Sequence, residues 1–166
     1  MSFGSQKLVH TDGTMHHLGI DAVTPCVILV PDPQEVPLYA VLLEGPVQQG
    51  CYREYATWRG IWRGEPLTVM SCGVPDAGLF RSHDCTSLET PWAPGGPARI
   101  ARWAELGVSA LDGETSALFV LASILGMHAA SLAYLAENYA TGAAAPMDAQ
   151  ARGRLFTAAA EALRCC

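Results

Sequence analysis

The sequence predicts an α/β fold, with a central mixed, partly parallel sheet flanked by helices. Three observations point there. A continuous and largely β-branched apolar run from Cys26 to Val30 stops at Pro31-Asp32-Pro33, the pattern of a strand buried on both faces. A hairpin signature follows over 51–71, where bulky and polar residues alternate loosely on either side of Arg63-Gly64-Glu65. Helix-period segments closed by glycines then take over toward the C-terminus.

Composition sets the outer limits. The chain has 166 residues, 50% of them hydrophobic and 16% charged, a balance that excludes a disordered or solvating protein. A domain of this length buries roughly 70% of its unfolded surface and folds without staples. The formal net charge is −6, and no basic cluster is present to neutralise phosphates, so nucleic acid is not an expected partner. Cys26, Cys51, Cys72 and Cys85 lie far apart, Cys165 and Cys166 are adjacent, and no zinc spacing occurs. Scattered reduced thiols suit a cytoplasmic protein, with no metal or cofactor expected.

Taken in order, residues 1–15 read as a leader without the apolar core of a signal peptide, and 16–166 as a single domain. After the first strand, Val36 to Leu43 suits a short helix with Pro37 in its first turn, ended by Gly45-Pro46. Cys51 to Trp62 and Pro66 to Ser71 form the hairpin. An irregular loop covers about 76–98, rich in proline and glycine and containing His83, Asp84 and Cys85. Arg99 to Leu106 is amphipathic and closes at Gly107, and a longer helix runs from about Glu114 to Leu125 with Gly126 at its C-cap. From Thr115 to Ala136 the only side chain that titrates near neutrality is His128, a window long enough for a bilayer. Gly126 and the serines spread along it favour a buried helix followed by a buried strand at Ala129 to Ala136, so no membrane partner is expected. Gly142 to Pro146 reads as a linker, and Asp148 as the cap of a final helix through Leu163. In such sheets ligands collect at the carboxyl ends of strands, which directs attention to Pro31–Glu35, Ser71–Asp76 and Glu137–Tyr139.

Several segments in this order resemble the nucleoside phosphorylase superfamily, most closely its uridine phosphorylase-like branch. His17-Leu-Gly-Ile20 is similar to H-L-G-[LI], and Val30 to Val36 to V-P-G-D-P-D-R-V with the glycine lost. Tyr52 to Arg59 resembles [SH]-R-E-F-x-T-[WY], and Trp103 to Val108 with Asp112 to Ala117 resembles W-x-x-x-G-V…[EN]-M-E-[SA]-A. The resemblance implies a shortened nucleoside phosphorylase-like fold with a ribosyl pocket and a small-molecule substrate, a nucleoside or related metabolite. It also implies a homodimer or higher assembly, because the family's hairpin Arg, here Arg53, reaches into a neighbouring subunit.

Departures from the family pattern redirect the chemistry. The phosphate-binding Arg of V-P-G-D-P-D-R is replaced by Glu35, and the R-x-G-[TS]-x-G strand and base-reading segment have no counterpart. One guanidinium facing a carboxylate is a poor site for a divalent anion, so phosphorolysis is not expected. The nucleosidase branch instead places a Glu after its first strand, where it directs water at an oxocarbenium-like anomeric carbon. By resemblance, Glu35 takes that part, Glu114 holds ribose hydroxyls beside Asp112, and His17 approaches the 5′ end from a partner subunit. Asn138 stands where the family places the Asp that protonates the leaving base, and an amide donates a hydrogen bond but no proton.

Plainer readings stand beside each. Glu35 and Glu114 also suit carboxylates at helix starts, Asp112 an N-cap, Arg53 a surface or interface ion pair, His17 a leader residue, and Asn138 a loop-backbone partner. The function expected is phosphate-independent nucleoside hydrolysis. The alternatives are a repurposed pocket catalysing a lyase, isomerase or cyclase step in a biosynthetic pathway, and a non-catalytic binding partner.

Overall fold

A computed structural model describes residues 20, 22–52, 54–72, 96–108, 112, 115–138 and 141–164. The chain divides into two compact units, Met1–Val74 with Gln150–Cys166, and Pro75–Ala149.

The first unit is built on a four-stranded mixed sheet. Strand β1 (Val27–Val30) is followed by helix α1 (Val36–Ala40) and by strands β2 (Glu44–Tyr52), β3 (Tyr55–Trp62) and β4 (Glu65–Ser71). Their order across the sheet is β1-β4-β3-β2. β1 runs parallel to β4, in register from Val27 opposite Thr68 to Val30 opposite Ser71, and the other pairs are antiparallel. The partly parallel sheet expected from the sequence is therefore present, and the hairpin turns at Arg63-Gly64 as its residues require.

Two expectations are corrected. β1 is an edge strand among the described residues rather than one buried on both faces, and Leu29 is 42% exposed while Val30 is buried. The apolar run reflects its parallel partner on one side and the core beneath it. The chain also does not pass from helix to hairpin through a Gly45-Pro46 stop. Those residues open β2, a strand whose two register irregularities, between Glu44 and Val47 and between Gln48 and Gly50, absorb its glycines and proline. Gly60 explains how β2 begins so close to β3. A Cβ there would meet the Leu43 Cβ at 2.7 Å and the Glu44 carbonyl oxygen at 3.0 Å, so only glycine lets the chain pass.

One face of the sheet carries the core. Val30, Ala56, Leu67 and Val69 point to it, and α1 adds Val36 and Tyr39 with Leu43 just beyond it. The C-terminal helix spans Ala149–Arg164, as the sequence led us to expect, and contributes Phe156 and Ala160. Phe156 is 1% exposed, meets the Trp62 ring edge-on at 5.0 Å and lies 6.4 Å from the Tyr39 ring.

The second unit holds helix α2 (Gly96–Glu105), helix α3 (Thr115–Leu125) and a two-stranded ladder of β5 (Glu137–Asn138) with β6 (Ala143–Ala144); the C-terminal helix is α4. α2 begins inside the segment expected to be loop, whose residues 76–95 lie outside the described ones. Gly107 and Gly126, at φ +80° and +68°, end α2 and α3 where the sequence places their caps. Amides one residue beyond each glycine, Val108 and Met127, donate back to Trp103 and Ala122. The buried strand expected over Ala129–Ala136 is not formed. Those residues have no regular structure, Leu132 and Leu135 are exposed, and the linker at Gly142–Pro146 instead supplies β6. Apolar runs of that length do not separate strand from loop without a partner strand to pair with. No helix among the described residues is long and apolar enough to cross a membrane.

Phe156→Ala is expected to destabilise the first unit by about 3–5 kcal/mol, the usual cost of emptying a buried aromatic position. Urea unfolding followed by tryptophan fluorescence measures it, with Trp62 as a reporter in direct ring contact.

Candidate functional site

Among the described residues, the carboxyl ends of the parallel pair are where strand order and sequence signals coincide. The backbone amide and thiol of Cys72 both donate to the Val30 carbonyl, at 3.0 and 3.5 Å, tying the end of β4 to the end of β1. From there the chain turns through Asp32, whose carboxylate accepts the Gln34 amide at 2.8 Å and whose carbonyl accepts the Glu35 amide at 3.1 Å. Pro31 and Pro33 bias the residues before them, Val30 and Asp32, away from helical conformation, and the chain then turns at Pro33–Glu35 into α1.

Glu35 is the N-cap residue of α1. Its side chain makes no capping hydrogen bond, and its carbonyl accepts the amides of Leu38 and Tyr39 at 2.9 and 3.2 Å. The backbone thus fixes the residue and leaves its half-buried carboxyl group free of cap duty. One helical turn on lies Tyr39, 4% exposed. Burial pushes the Tyr39 hydroxyl pKa above its ordinary 10.0, and the Glu35 charge pushes it the same way. The Arg152 guanidinium of α4 opposes both through its charge and a side-chain hydrogen bond, and its carbon lies 5.8 Å from the Tyr39 ring centroid. The corner therefore brings a carboxylate, a buried phenol and a guanidinium together across α1 and α4.

The sequence pointed to Glu35 but not to Tyr39 or Arg152. The Glu35–Tyr39 spacing of four residues on a helix was a readable signal; Arg152 had none, because its place depends on how α4 docks.

The remaining candidates fare differently. His17, Arg53 and Glu114 lie outside the described residues, as do His83, Asp84 and Cys85. Asp112 and Asn138 belong to the second unit, whereas Glu35 belongs to the first. The Asp112 carboxylate accepts the Thr115 amide at 2.7 Å, the bond of an N-cap to the first turn of α3. Asn138 is part of β5 and holds the turn into β6. Its side-chain oxygen accepts the Thr141 amide at 3.2 Å, and its carbonyl accepts the Gly142 amide at 2.8 Å. Both side chains thus serve the local backbone. Among the described residues no group of His, Cys, Asp and Glu is arranged to hold a metal ion.

No protein-family model and no curated protein matches the chain. Solved structures of nucleoside-processing enzymes do. The chain is similar to a uridine phosphorylase from Vibrio fischeri ES114 at 24% identity, over 39% of this chain and 28% of that one, with a TM-score of 0.37. It is also similar to a Trypanosoma brucei nucleoside phosphorylase described as showing uridine phosphorylase activity, at 28% identity, over 39% and 21% of the two chains, with a TM-score of 0.36. The chain thus spans under a third of the length of either protein.

The charges around Tyr39 give a signed expectation. Glu35→Gln removes the charge that raises the phenol and should lower its titration; Arg152→Met removes the group that lowers it and should raise it further. A folded-state value above the unfolded one means stability is fully present below about pH 10 and is lost as pH rises through the folded value. Ultraviolet titration of tyrosinate, with Tyr39→Phe as the subtracting control, checks both directions.

Proposed function

We propose that the protein is a nucleoside phosphorylase-like hydrolase that cleaves an N-glycosidic bond without phosphate, with Glu35 directing the attacking water. The observation that carries this reading is the position of Glu35, directly after β1 at the carboxyl end of the sheet's parallel pair. Its side chain is not taken up in capping the helix it starts. The sequence resemblance supports the same residue, since a carboxylate replaces the phosphate-binding Arg there.

The chemistry is compact. Water adds to the anomeric carbon as its proton passes to the Glu35 carboxylate, and the electron pair of the C–N bond leaves with the base, which takes its proton from solvent. A carboxylate facing the oxocarbenium-like state also stabilises its positive charge. The resemblance alone gives His17, Arg53, Asp112 and Glu114 the part of ligand groups and Asn138 that of a hydrogen-bond donor; Asp112, Glu114 and Asn138 fall in the second unit, and the Glu35 chemistry does not depend on them. A homodimer or higher assembly, with Arg53 and His17 supplied by a partner, belongs to the same proposal.

A second reading, a binding partner without catalysis, is favoured by one feature of the second unit. Phe119, Val120, Leu121, Ile124, Leu125, Met127, Leu132 and Leu135 are between 45% and 74% exposed, apolar side chains of the kind a partner covers.

Incubation with a panel of purine and pyrimidine ribonucleosides, with and without phosphate, separates the two. Hydrolysis predicts base release that does not need phosphate and falls roughly hundredfold or more in Glu35→Gln, the usual contribution of a general base. No turnover across the panel in either condition overturns the enzyme reading and leaves binding.

A further inference from the structure

A second feature of the first unit has no part in the Glu35 chemistry. An open groove of about 620 Å³ runs between α4 and the sheet, lined by Leu42, Trp62, Phe156 and an α4 flank of Gln150, Gly153, Arg154 and Thr157. The groove is shallow and open to solvent, so a ligand would lie along it rather than be enclosed. Spacings of three and four residues set those α4 positions on one side of the helix. A Cβ built at Gly153 meets nothing within 4 Å, so a larger side chain at this position would extend into open space on the groove side.

The groove has an apolar floor and a single cationic wall. Trp62 and Phe156 meet edge-on at 5.0 Å, and Leu42 adds an aliphatic side. The other arginines near α4 are engaged. Arg63 and Arg164 pair with Glu161, and Arg152 lies over the Tyr39 ring. Arg154 has no carboxylate partner among the described residues, in a chain of net charge −6. An unpaired guanidinium beside apolar walls recognises a carboxylate with an apolar body, through a charge-assisted hydrogen bond at one end and area burial at the other.

The geometry points to a binding site for a small monocarboxylate with an apolar body, its carboxylate on Arg154 and its body between Leu42 and Trp62. The Gln150 amide and Thr157 hydroxyl, at the same wall, offer further donors to the anion. This site is independent of the Glu35 proposal and survives its failure.

The test is titration of the full chain with phenylacetate and with hexanoate, followed by isothermal calorimetry and by heteronuclear NMR shifts. Phenylacetamide serves as the neutral control. The expected result is saturable binding of at least one carboxylate, weakened about tenfold or more in the amide and in Arg154→Gln. The two acids distinguish an aryl body from an alkyl one. Gly153→Leu should abolish binding by filling the bay, while the thermal midpoint stays or rises, because leucine is the better helix former. Binding equally strong in the amide and in both variants, or no saturable binding of either acid, overturns the site.

Discussion

The apolar face of the mixed sheet is closed by Phe156, a side chain from the far end of the sequence. α1 has only five residues and covers the corner beside Val30, so the rest of that face needs a second cover. α4 supplies it with Phe156 between Tyr39 and Trp62 and with Ala160 beside it. Fully burying one aromatic ring is worth about 1.5–3 kcal/mol in transfer alone, a large share of the margin by which domains are stable. The arrangement makes the first unit discontinuous in sequence. The sheet is complete by Ser71, yet its core waits for residues beyond Gln150.

That dependence reaches the corner at Glu35. Arg152 stands one turn before Phe156 on α4, so seating the ring also brings the guanidinium to the Tyr39 phenol. Tyr39 is thereby held by packing on one side and by a cation on the other, while the Glu35 charge acts on it from the start of its own helix. Tyr39 is 4% exposed and lies beside a carboxylate, so its phenol is costly to ionise and near neutrality stays a hydrogen-bonding neutral group.

What the sequence made legible follows from locality. The β3–β4 hairpin, the glycine ends of α2 and α3, and the start of α4 after Asp148 are set by residues within a few positions of one another. Each was readable. β2 was not, because Gly45, Pro46 and Gly50 read as breakers until β3 is present to pair around them with register shifts. Residues 129–136 failed the opposite way, since an apolar run resembles a buried strand and the ladder that would make it one is absent among the described residues. The candidate site divides along the same line. The proline-flanked turn announced Glu35, and the N-cap reading of Asp112 and the loop-backbone reading of Asn138, offered from sequence beside their ligand roles, match the bonds their side chains make. Arg152 was silent because nothing near it in sequence refers to Tyr39.

α4 shows how one helix can carry both structure and recognition without a strongly apolar sequence. Positions 152, 156, 160 and 163 fall along one stripe, and only Phe156 and Leu163 among them are large and apolar. Alanine and the stem of arginine complete the contact, so the stripe seats against a sheet whose own side chains, Trp62 and Tyr39 above all, provide the bulk. The neighbouring flank is thereby free of packing duty. There Glu161 is committed to Arg63 and Arg164, and Arg154 is left beside a glycine with open space before it. Glycine inside a helix costs about 1 kcal/mol relative to alanine, and the seating of Phe156 does not need it. A Cβ at Gly153 would meet nothing within 4 Å, so this position beside Arg154 faces open space on the groove side of the helix.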